Sequence, residues 1–334
     1  MSIRRVGVLG LGLMGSGIAQ ITAAVAGLPV VAVEASQEAI KKGRAAISKS
    51  LAAVAARAVA KGAMDAAGGE AYVGRAEANI TATTDRAALA QCDIVIEAAP
   101  EDWAFKAKLY RDLRAHIAPS AILASNTSGL LIADLAREFG APERVLGLHY
   151  FNPVPIMQLC EVVSTPQTLR AHVDAATALV KLQGKTPVGC KDSAGFIVNR
   201  LLVPFLAQAI RLHEEGVAST ADIDVAMKLG CGHPMGPLEL ADYVGLVSLC
   251  ARAGATAQGS PHPHPAGAPP PICRIRRSTS CKIGRQSTPA SRHFSCPRAW
   301  PSAWQRGTWA GSRGAAFTSG RAPRLSSPPN RQIL

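Results

Sequence analysis

Val6-Gly-Val-Leu-Gly-Leu-Gly-Leu-Met-Gly-Ser-Gly17 is the stretch that decides the fold of this 334-residue chain. Its first residues have the pattern of a short apolar strand, and its last residues begin a helix of small and branched side chains. Between them, Gly10, Gly12 and Gly15 have the spacing Gly-x-Gly-x-x-Gly. In a strand–turn–helix, these glycines permit a tight turn, close approach of a ligand to the backbone, and close packing of helix on strand. The stretch therefore predicts a phosphate-binding turn that opens a parallel α/β fold.

Glu34 identifies the nucleotide that this turn suits. It ends the next apolar strand, 19 residues after Gly15. A carboxylate in that place accepts a hydrogen bond from a ribose 2′-hydroxyl and repels a 2′-phosphate. We therefore predict that the turn binds NAD rather than NADP, with the pyrophosphate held at the start of the helix by Gly10, Gly12, Leu13, Met14 and Gly15.

Strand and helix patterns alternate through residues 1–190, which predicts an α/β domain with a doubly wound, Rossmann-type sheet. Residues 37–78 contain two helical stretches, with breaks near Lys61–Gly62 and Gly68–Gly69. This segment is too long for the single crossover helix that would join two parallel strands. We interpret the two stretches as an inserted helical hairpin that projects from the sheet. Residues 191–246 change to an all-α pattern, which we interpret as the first part of a helical second domain.

The net charge of +13 is unevenly distributed. Residues 1–246 contain 23 basic and 23 acidic residues, whereas residues 247–334 contain 13 basic residues, no acidic residue and 12 of the 23 prolines. The neutral part gives no reason to predict nucleic-acid binding. The Pro/Arg-rich tail is interpreted either as a disordered basic segment or as the product of a shifted reading frame. We favour the second, because compositional bias is weak evidence for a binding function.

The cysteines and the apolar runs predict a location. Cys92, Cys160, Cys190 and Cys231 form no CxxC pair, which is typical of single buried thiols in a reducing compartment and not of a disulfide framework or a metal site. The first strand begins within about six residues of Met1, which leaves no room for a targeting peptide. The longest apolar run, residues 21–33, contains Gly27 and Pro29 and is too short to span a membrane. We expect a cytoplasmic protein with no membrane partner.

The predicted hairpin is basic. No acidic residue lies between Glu38 and Asp65, while six basic residues do, at Lys41, Lys42, Arg44, Lys49, Arg57 and Lys61. Such a surface favours an anionic ligand beyond the dinucleotide. A solvated helix face would have the same composition, and charge alone does not separate the two.

Three polar residues follow or end predicted strands, where doubly wound sheets keep their sites. They are Ser128, His149 and Glu161. Imidazole suits the removal of a hydroxyl proton near neutral pH, and a buried carboxylate would orient it. A serine hydrolase is the alternative, but no Gly-x-Ser-x-Gly surrounds Ser128. Taken singly, His149 and Glu161 could also be a strand-end histidine and an ion-pair partner.

Several longer motifs are specific enough to name a family. They are Ser125-Asn-Thr-Ser128, Gly147-Leu-His-Tyr-Phe-Asn-Pro-Val-Pro155, Glu161-Val-Val, Lys191-Asp-Ser-Ala-Gly-Phe-Ile-Val-Asn-Arg200 and Pro234-Met-Gly-Pro-Leu-Glu-Leu-Ala-Asp-Tyr-Val-Gly-Leu246. In this order and spacing they resemble the L-3-hydroxyacyl-CoA dehydrogenases, including the 3-hydroxybutyryl-CoA dehydrogenases, of fatty-acid β-oxidation. The resemblance covers about Ile3 to Leu246. It implies NAD-dependent oxidation of (S)-3-hydroxyacyl-CoA to 3-oxoacyl-CoA, or the reverse reduction.

The resemblance also implies roles for single residues. His149 would be the general base of oxidation and the acid of reduction, with Glu161 as its orienting carboxylate. Ser128 and Asn199 would hydrogen-bond the substrate oxygen and thioester. The cofactor contacts would come from Glu34, Glu101, Lys106, Ser128 and Asn152. On the hairpin, Ser50 and Arg57 fall where the family binds CoA, and Arg57 replaces the usual Lys, which keeps the charge but changes the donor geometry.

The sequence departs from the family after Leu246. Family members continue through further helices that form much of a homodimer interface, and the motifs quoted above do not continue into residues 247–334. If residues 247–334 are the real end of the product, roughly half of the second domain is missing. Two alternatives therefore stay open: a non-catalytic NAD-binding remnant or structural protein, and a dehydrogenase for free sugar acids or hydroxy acids of the lambda-crystallin type.

Overall fold

The computed structural model describes residues 2–245, and its centre is one eight-stranded sheet. The strands are β1 Val6–Leu9, β2 Val30–Val33, β3 Ile80–Thr83, β4 Ile94–Glu97, β5 Ile122–Ser125, β6 Val145–Tyr150, β7 Leu159–Ser164 and β8 Thr186–Lys191. Their order in the sheet is β3-β2-β1-β4-β5-β6-β7-β8. All neighbours are parallel except β6 and β7. This confirms the Rossmann-type doubly wound sheet.

Nine α-helices connect and follow these strands within residues 2–245. They are α1 Leu13–Ala24, α2 Gln37–Ala60, α3 Ala66–Ala78, α4 Trp103–Leu113, α5 Ile132–Phe139, α6 Arg170–Leu182, α7 Val198–Glu214, α8 Thr220–Cys231 and α9 Pro237–Val244. None of the helices in this part of the chain is both long and apolar enough to cross a membrane.

Both faces of the sheet are buried, as the short apolar strands require. Successive side chains of a strand point to opposite faces. Val6 and Val8 of β1 therefore join a core with helices α1, α2, α3 and α6, whereas Leu9 joins a core with α4 and α5. A parallel sheet covered on both sides explains why these strands are continuous apolar runs and not alternating ones.

The hairpin of residues 37–78 is present as α2 and α3. The predicted break near Lys61–Gly62 is confirmed, because α2 ends at Ala60 and Gly62 has a φ of +69°. The predicted break at Gly68–Gly69 is wrong, since α3 runs through both glycines. Asp65 caps this helix by accepting a hydrogen bond from Gly68 N at 2.7 Å, which offsets the poor helix propensity of the glycine pair.

Three further differences from the expectations concern local signals. The short edge strand β3 was not predicted, because only one of its four residues is buried and it lacks a clear apolar run. The helical pattern of the sequence extends from Gly195 to Glu215, but helix α7 begins only at Val198, because Gly195 and Phe196 have φ values of +76° and +50°. Of the four cysteines expected to be buried, Cys190 is half-buried and Cys231 exposed. The expectations for residues 247–334 lie outside the described residues.

Candidate active site

The glycine turn has the shape that a dinucleotide requires. Gly10 has a φ of +94°, which only glycine adopts easily. A Cβ on Gly15 would lie 1.7 Å from the carbonyl oxygen of Gly10, so a side chain there would separate α1 from β1. A Cβ on Gly12 would meet nothing within 4 Å. Gly12 therefore faces open space, where a pyrophosphate can reach the backbone.

The start of α1 and the carboxylate of Glu34 complete this nucleotide cradle. No side chain caps α1 and no acidic residue lies in its first turn, so its first N–H groups at Leu13 and Met14 face the cradle without an intrahelical acceptor. Glu34 Oε1 accepts a hydrogen bond from Leu11 N at 2.7 Å. The carboxylate is thus fixed beside the turn, where a 2′-phosphate would meet negative charge. The residues present fit NAD.

A buried ion-pair network follows the neighbouring strand β4. Glu97, its last residue, is 0% exposed and lies 2.9 Å from Nζ of Lys106, which is 1% exposed. Lys106 Nζ also lies 3.0 Å from Oε2 of Glu101. Burial acts to lower the pKa of Lys106, but Glu97 and Glu101 outweigh it and hold that pKa above its usual value. Lys106 therefore stays charged and joins the two carboxylates.

Glu101 connects this network to the loop that bears Ser128. Its Oε1 accepts hydrogen bonds from Thr127 Oγ1 at 2.6 Å, from Ser128 N at 2.8 Å and from Gly129 N at 3.2 Å. Burial acts to raise the pKa of Glu101, but the charge of Lys106 and these donors lower it below its usual value. Glu101, Lys106 and Ser128, which the sequence singles out separately, are therefore neighbours.

His149 and Glu161 meet one strand further along the sheet. They are register partners in the antiparallel pair β6–β7, and Nδ1 of His149 lies 2.6 Å from Oε2 of Glu161. The side chains are 5% and 1% exposed. The rings of Phe151 and Phe196 lie 4.5 and 5.5 Å from the imidazole, centroid to centroid. Because Nδ1 is held by Glu161, Nε2 is the nitrogen through which His149 can exchange a proton.

The start of α7 holds the other oxygen of Glu161. Oε1 accepts hydrogen bonds from Ile197 N at 3.0 Å and Val198 N at 2.9 Å. Burial acts to raise the pKa of Glu161, but the hydrogen bonds from His149 and from these amides lower it below its usual value. The positive end of a helix also favours a carboxylate. The next residue, Asn199, is buried and donates from Nδ2 to the carbonyl oxygen of Ser128 at 3.1 Å.

The remaining predicted residues are Asn152 and two residues of the hairpin. Asn152 is exposed on the loop after β6. Ser50 and Arg57 lie on α2, seven residues and therefore two turns apart, on one face of the helix. Of the six basic residues of the hairpin, Lys42 pairs with Glu38 at 2.7 Å and Arg44 donates to the carbonyl oxygen of Ile80. Two of the six basic residues are therefore engaged within the chain.

Sequence reasoning missed Glu97. It accepts hydrogen bonds from Ser125 Oγ at 2.7 Å, Tyr110 OH at 3.1 Å and Ala99 N at 2.7 Å, so it fixes the ends of β4 and β5 together. The signal was available as a single acid that closes the apolar strand Ile-Val-Ile-Glu. Its partner Lys106 is buried on α4, which the sequence pattern does not show.

The assembled centre is suited to proton exchange beside a nucleotide. Because β1, β4, β5 and β6 are adjacent and parallel, their carboxyl ends bring the glycine turn, Glu97, the Ser128 loop and His149 to one edge of the sheet. Residues 2–245 contain no group of three or more His, Cys, Asp or Glu side chains that could hold a metal ion. A histidine paired with an ionised carboxylate can act in general acid–base catalysis.

Known proteins share both halves of this architecture. Residues 5–193 match the NAD binding domain of 3-hydroxyacyl-CoA dehydrogenase, and residues 195–275 match its C-terminal domain. Mitochondrial hydroxyacyl-coenzyme A dehydrogenase of Sus scrofa is 46% identical over 245 residues, 73% of this chain and 77% of the pig protein. 3-Hydroxybutyryl-CoA dehydrogenase of Mycobacterium tuberculosis is 42% identical over 292 residues, 86% and 96% of the two chains. The similarity therefore continues past Leu246, where we expected it to end.

Solved structures agree with these sequence matches. FadB2 of M. tuberculosis has a TM-score of 0.74 at 42% identity, covering 83% of this chain and 94% of FadB2. (S)-3-hydroxybutyryl-CoA dehydrogenase PaaH1 of Ralstonia eutropha has a TM-score of 0.72 at 41% identity, covering 77% and 88%. With the nucleotide cradle and the acid–base pair, these matches show that the chain belongs to the 3-hydroxyacyl-CoA dehydrogenase family and is an NAD-dependent oxidoreductase.

Proposed function

We propose that this protein interconverts (S)-3-hydroxyacyl-CoA and 3-oxoacyl-CoA with His149 as the proton-exchanging group. The hydrogen bond of 2.6 Å between His149 and Glu161 is the observation that supports this most directly. The glycine turn and Glu34 would hold NAD, which would supply the hydride acceptor for C3 in the oxidation. His149 Nε2 takes the hydroxyl proton in that direction and returns it to the carbonyl oxygen in the reduction.

Glu161 orients the imidazole and stabilises its protonated form. It accepts a hydrogen bond from Nδ1–H, which leaves the lone pair of Nε2 for the substrate. The amides of Ile197 and Val198 keep the carboxylate ionised and in place. A neutral partner would lose both effects, since an imidazolium in this buried position needs a negative charge beside it.

Ser128 and Asn199 are proposed to hold the reacting oxygen and the thioester. Their mutual hydrogen bond and the bonds from the Ser128 loop to Glu101 support this, because a positioned loop keeps substrate and base in reactive geometry. Glu101, Lys106, Ser128 and Asn152 are proposed as cofactor contacts beyond the glycine turn.

The CoA moiety is assigned to α2. Gly43 of this helix packs against Leu11 of the glycine turn, where a Cβ would lie 2.6 Å from that of Leu11. The face with Ser50 and Arg57 therefore extends away from the nucleotide cradle along the same helix. A hydroxyl and a guanidinium suit the phosphates of CoA.

The test is direct. Purified protein mixed with acetoacetyl-CoA and NADH should consume NADH, measured as loss of absorbance at the NADH maximum. Retained NADH binding without turnover would support the non-catalytic remnant instead. Turnover of free hydroxy acids but not of CoA thioesters would support the lambda-crystallin alternative. The family membership and the basic residues of α2 favour the CoA thioester.

Two expectations accompany this proposal. We propose a cytoplasmic location, although relatives include mitochondrial proteins. We also propose that a homodimer of this chain would depend on residues after Leu246. Gel filtration of the full chain with light scattering would measure the oligomeric state.

A further inference from the structure

Lys185 makes an unusual pair of contacts close to the proposed acid–base pair. It lies at the end of the turn between α6 and β8, and its side chain is buried, with 8% of the residue exposed. Its Nζ donates hydrogen bonds of 2.6 Å to the carbonyl oxygens of Val154 and Met157. One ammonium group therefore joins two points of the loop 151–158.

That loop lies between the two members of the acid–base pair. It leaves β6 just after His149 and enters β7 just before Glu161. Pro153 and Pro155 have no N–H group, so the loop cannot satisfy its carbonyl oxygens with a regular backbone ladder. It carries Phe151, whose ring lies 4.5 Å from the imidazole of His149.

The same loop is seated on the nucleotide-binding helix. A Cβ on Gly17 of α1 would lie 2.6 Å from the Cβ of Val154, so Val154 fills the notch that this glycine leaves. Gln183, two residues before Lys185, accepts a hydrogen bond from Tyr150 OH and donates one to Thr22 Oγ1 of α1, both at 2.7 Å. The α6–β8 turn thus joins α1, the end of β6 and the loop.

A buried ammonium is a costly way to hold a loop. Within residues 2–245, Lys185 forms no ion pair with a carboxylate, and burial lowers its pKa. A charge kept in this position without an opposite charge is tolerated only where its hydrogen bonds matter to the folded arrangement. Three donors on a long flexible stem can reach two carbonyl oxygens that no apolar side chain could hold.

We propose that Lys185 is a positioning residue for catalysis: it fixes the loop 151–158 so that Phe151 confines the imidazole of His149 beside the nucleotide. Lys185 itself touches neither substrate nor cofactor in this assignment. The inference rests on the role proposed above for His149, but the clamp on the loop is a separate physical claim and has its own measurement.

The test compares the full chain with Lys185→Met, which keeps the unbranched length and removes the ammonium. Lys181→Met, an exposed position of α6, is the matched control. Hydrogen–deuterium exchange followed by mass spectrometry should show faster exchange in peptides covering 151–158 of Lys185→Met, with β1 and β4 unchanged. The turnover number for acetoacetyl-CoA reduction should fall about tenfold, since loss of positioning alone has effects of that size. The Kd of NADH should change by a smaller factor than the turnover number, because the glycine turn is untouched and Asn152 is the one proposed cofactor contact on this loop.

Unchanged exchange of residues 151–158 in Lys185→Met would overturn the clamp. Faster exchange with an unchanged turnover number would overturn the positioning role. If the wild-type chain consumed no NADH, the proposed function would fail while the exchange measurement still decided the clamp. Should Lys185→Met not fold, Lys185→Gln provides the same comparison with a shorter neutral donor, and residues 151–158 should exchange faster in it than in the wild type.

Discussion

His149 and Glu161 are direct register partners across β6 and β7, the one antiparallel pair in the sheet of residues 2–245. This reversal has a chemical consequence. A following strand parallel to β6 would need a crossover back to the opposite edge of the sheet. Strand β7 instead turns back through the loop 151–158 and places the carboxylate of Glu161 opposite the imidazole. The proposed acid–base pair is therefore brought together by the change of strand direction.

Replacing His149 by Gln should remove turnover and leave cofactor binding intact. The amide keeps polar contacts but cannot accept and release a proton, so the turnover number should fall by about 10²- to 10⁴-fold. The Kd of NADH, measured by its fluorescence, should change by less than about twofold. His213→Gln, at an exposed position of α7, is the control. Turnover of His149→Gln at the wild-type level would show that another group exchanges the proton.

Glu161→Gln tests the orienting carboxylate separately from the base. The amide oxygen can still accept a hydrogen bond from Val198, so the start of α7 is retained, but the negative charge beside the imidazole is lost. We expect the turnover number to fall on the order of 10²-fold while the KM for acetoacetyl-CoA changes little. A rise in KM with an unchanged turnover number would mean that Glu161 serves substrate binding instead.

The stability of the site should depend on acid pH with a definite sign. Burial acts to raise the folded-state pKa values of Glu101 and Glu161. Lys106 beside Glu101, and the hydrogen bonds from His149 and the α7 amides to Glu161, outweigh burial and lower both pKa values. Both groups therefore favour the folded state above the pKa of an unfolded glutamate, roughly 4.3, and this contribution is lost as the pH falls through their lower folded values.

Urea unfolding followed between pH 6 and pH 3 measures this effect. The urea concentration at the midpoint of unfolding of the wild-type chain should drop as the pH falls below the pKa of an unfolded glutamate. Glu161→Gln should show a shallower drop, because it has one fewer carboxylate to protonate. Glu70→Gln, on the exposed side of α3, should follow the wild-type curve. Parallel curves for Glu161→Gln and the wild type would contradict the assignment.

The sequence predicted those parts of this arrangement that depend on neighbours along the chain. The glycine turn, the apolar strands and the strand-end position of His149 all follow from short patterns. The Glu97–Lys106–Glu101 network does not, because it joins β4, the following loop and α4 through side chains whose burial only the folded chain decides. The pairing of His149 with Glu161 needed the strand reversal, and the contact of Asn199 with Ser128 joins residues 71 positions apart.

Glu34→Gln should relax the preference for NAD. The amide oxygen can still accept the hydrogen bond from Leu11 N, so the glycine turn keeps its shape while the negative charge is removed. Like charges in contact cost several kcal/mol, so the affinity for NADPH relative to NADH should rise at least about tenfold. Fluorescence titration with both nucleotides measures the ratio. An unchanged ratio would show that the carboxylate does not select against the 2′-phosphate.

Arg57→Ala tests the assignment of CoA to α2. A hydrogen bond from a cation to a phosphate contributes about 1.5 to 3 kcal/mol, so the KM for acetoacetyl-CoA should rise by about tenfold or more, with the Kd of NADH unchanged. Lys41→Ala is the matched control, because it removes a charge from the same helix about 160° around its axis. The acetoacetyl thioester of pantetheine, which lacks the nucleotide part of CoA, should show no difference between Arg57→Ala and the wild type. If instead both thioesters lost the same factor, Arg57 would act on the fold of the hairpin and not on the phosphates of CoA.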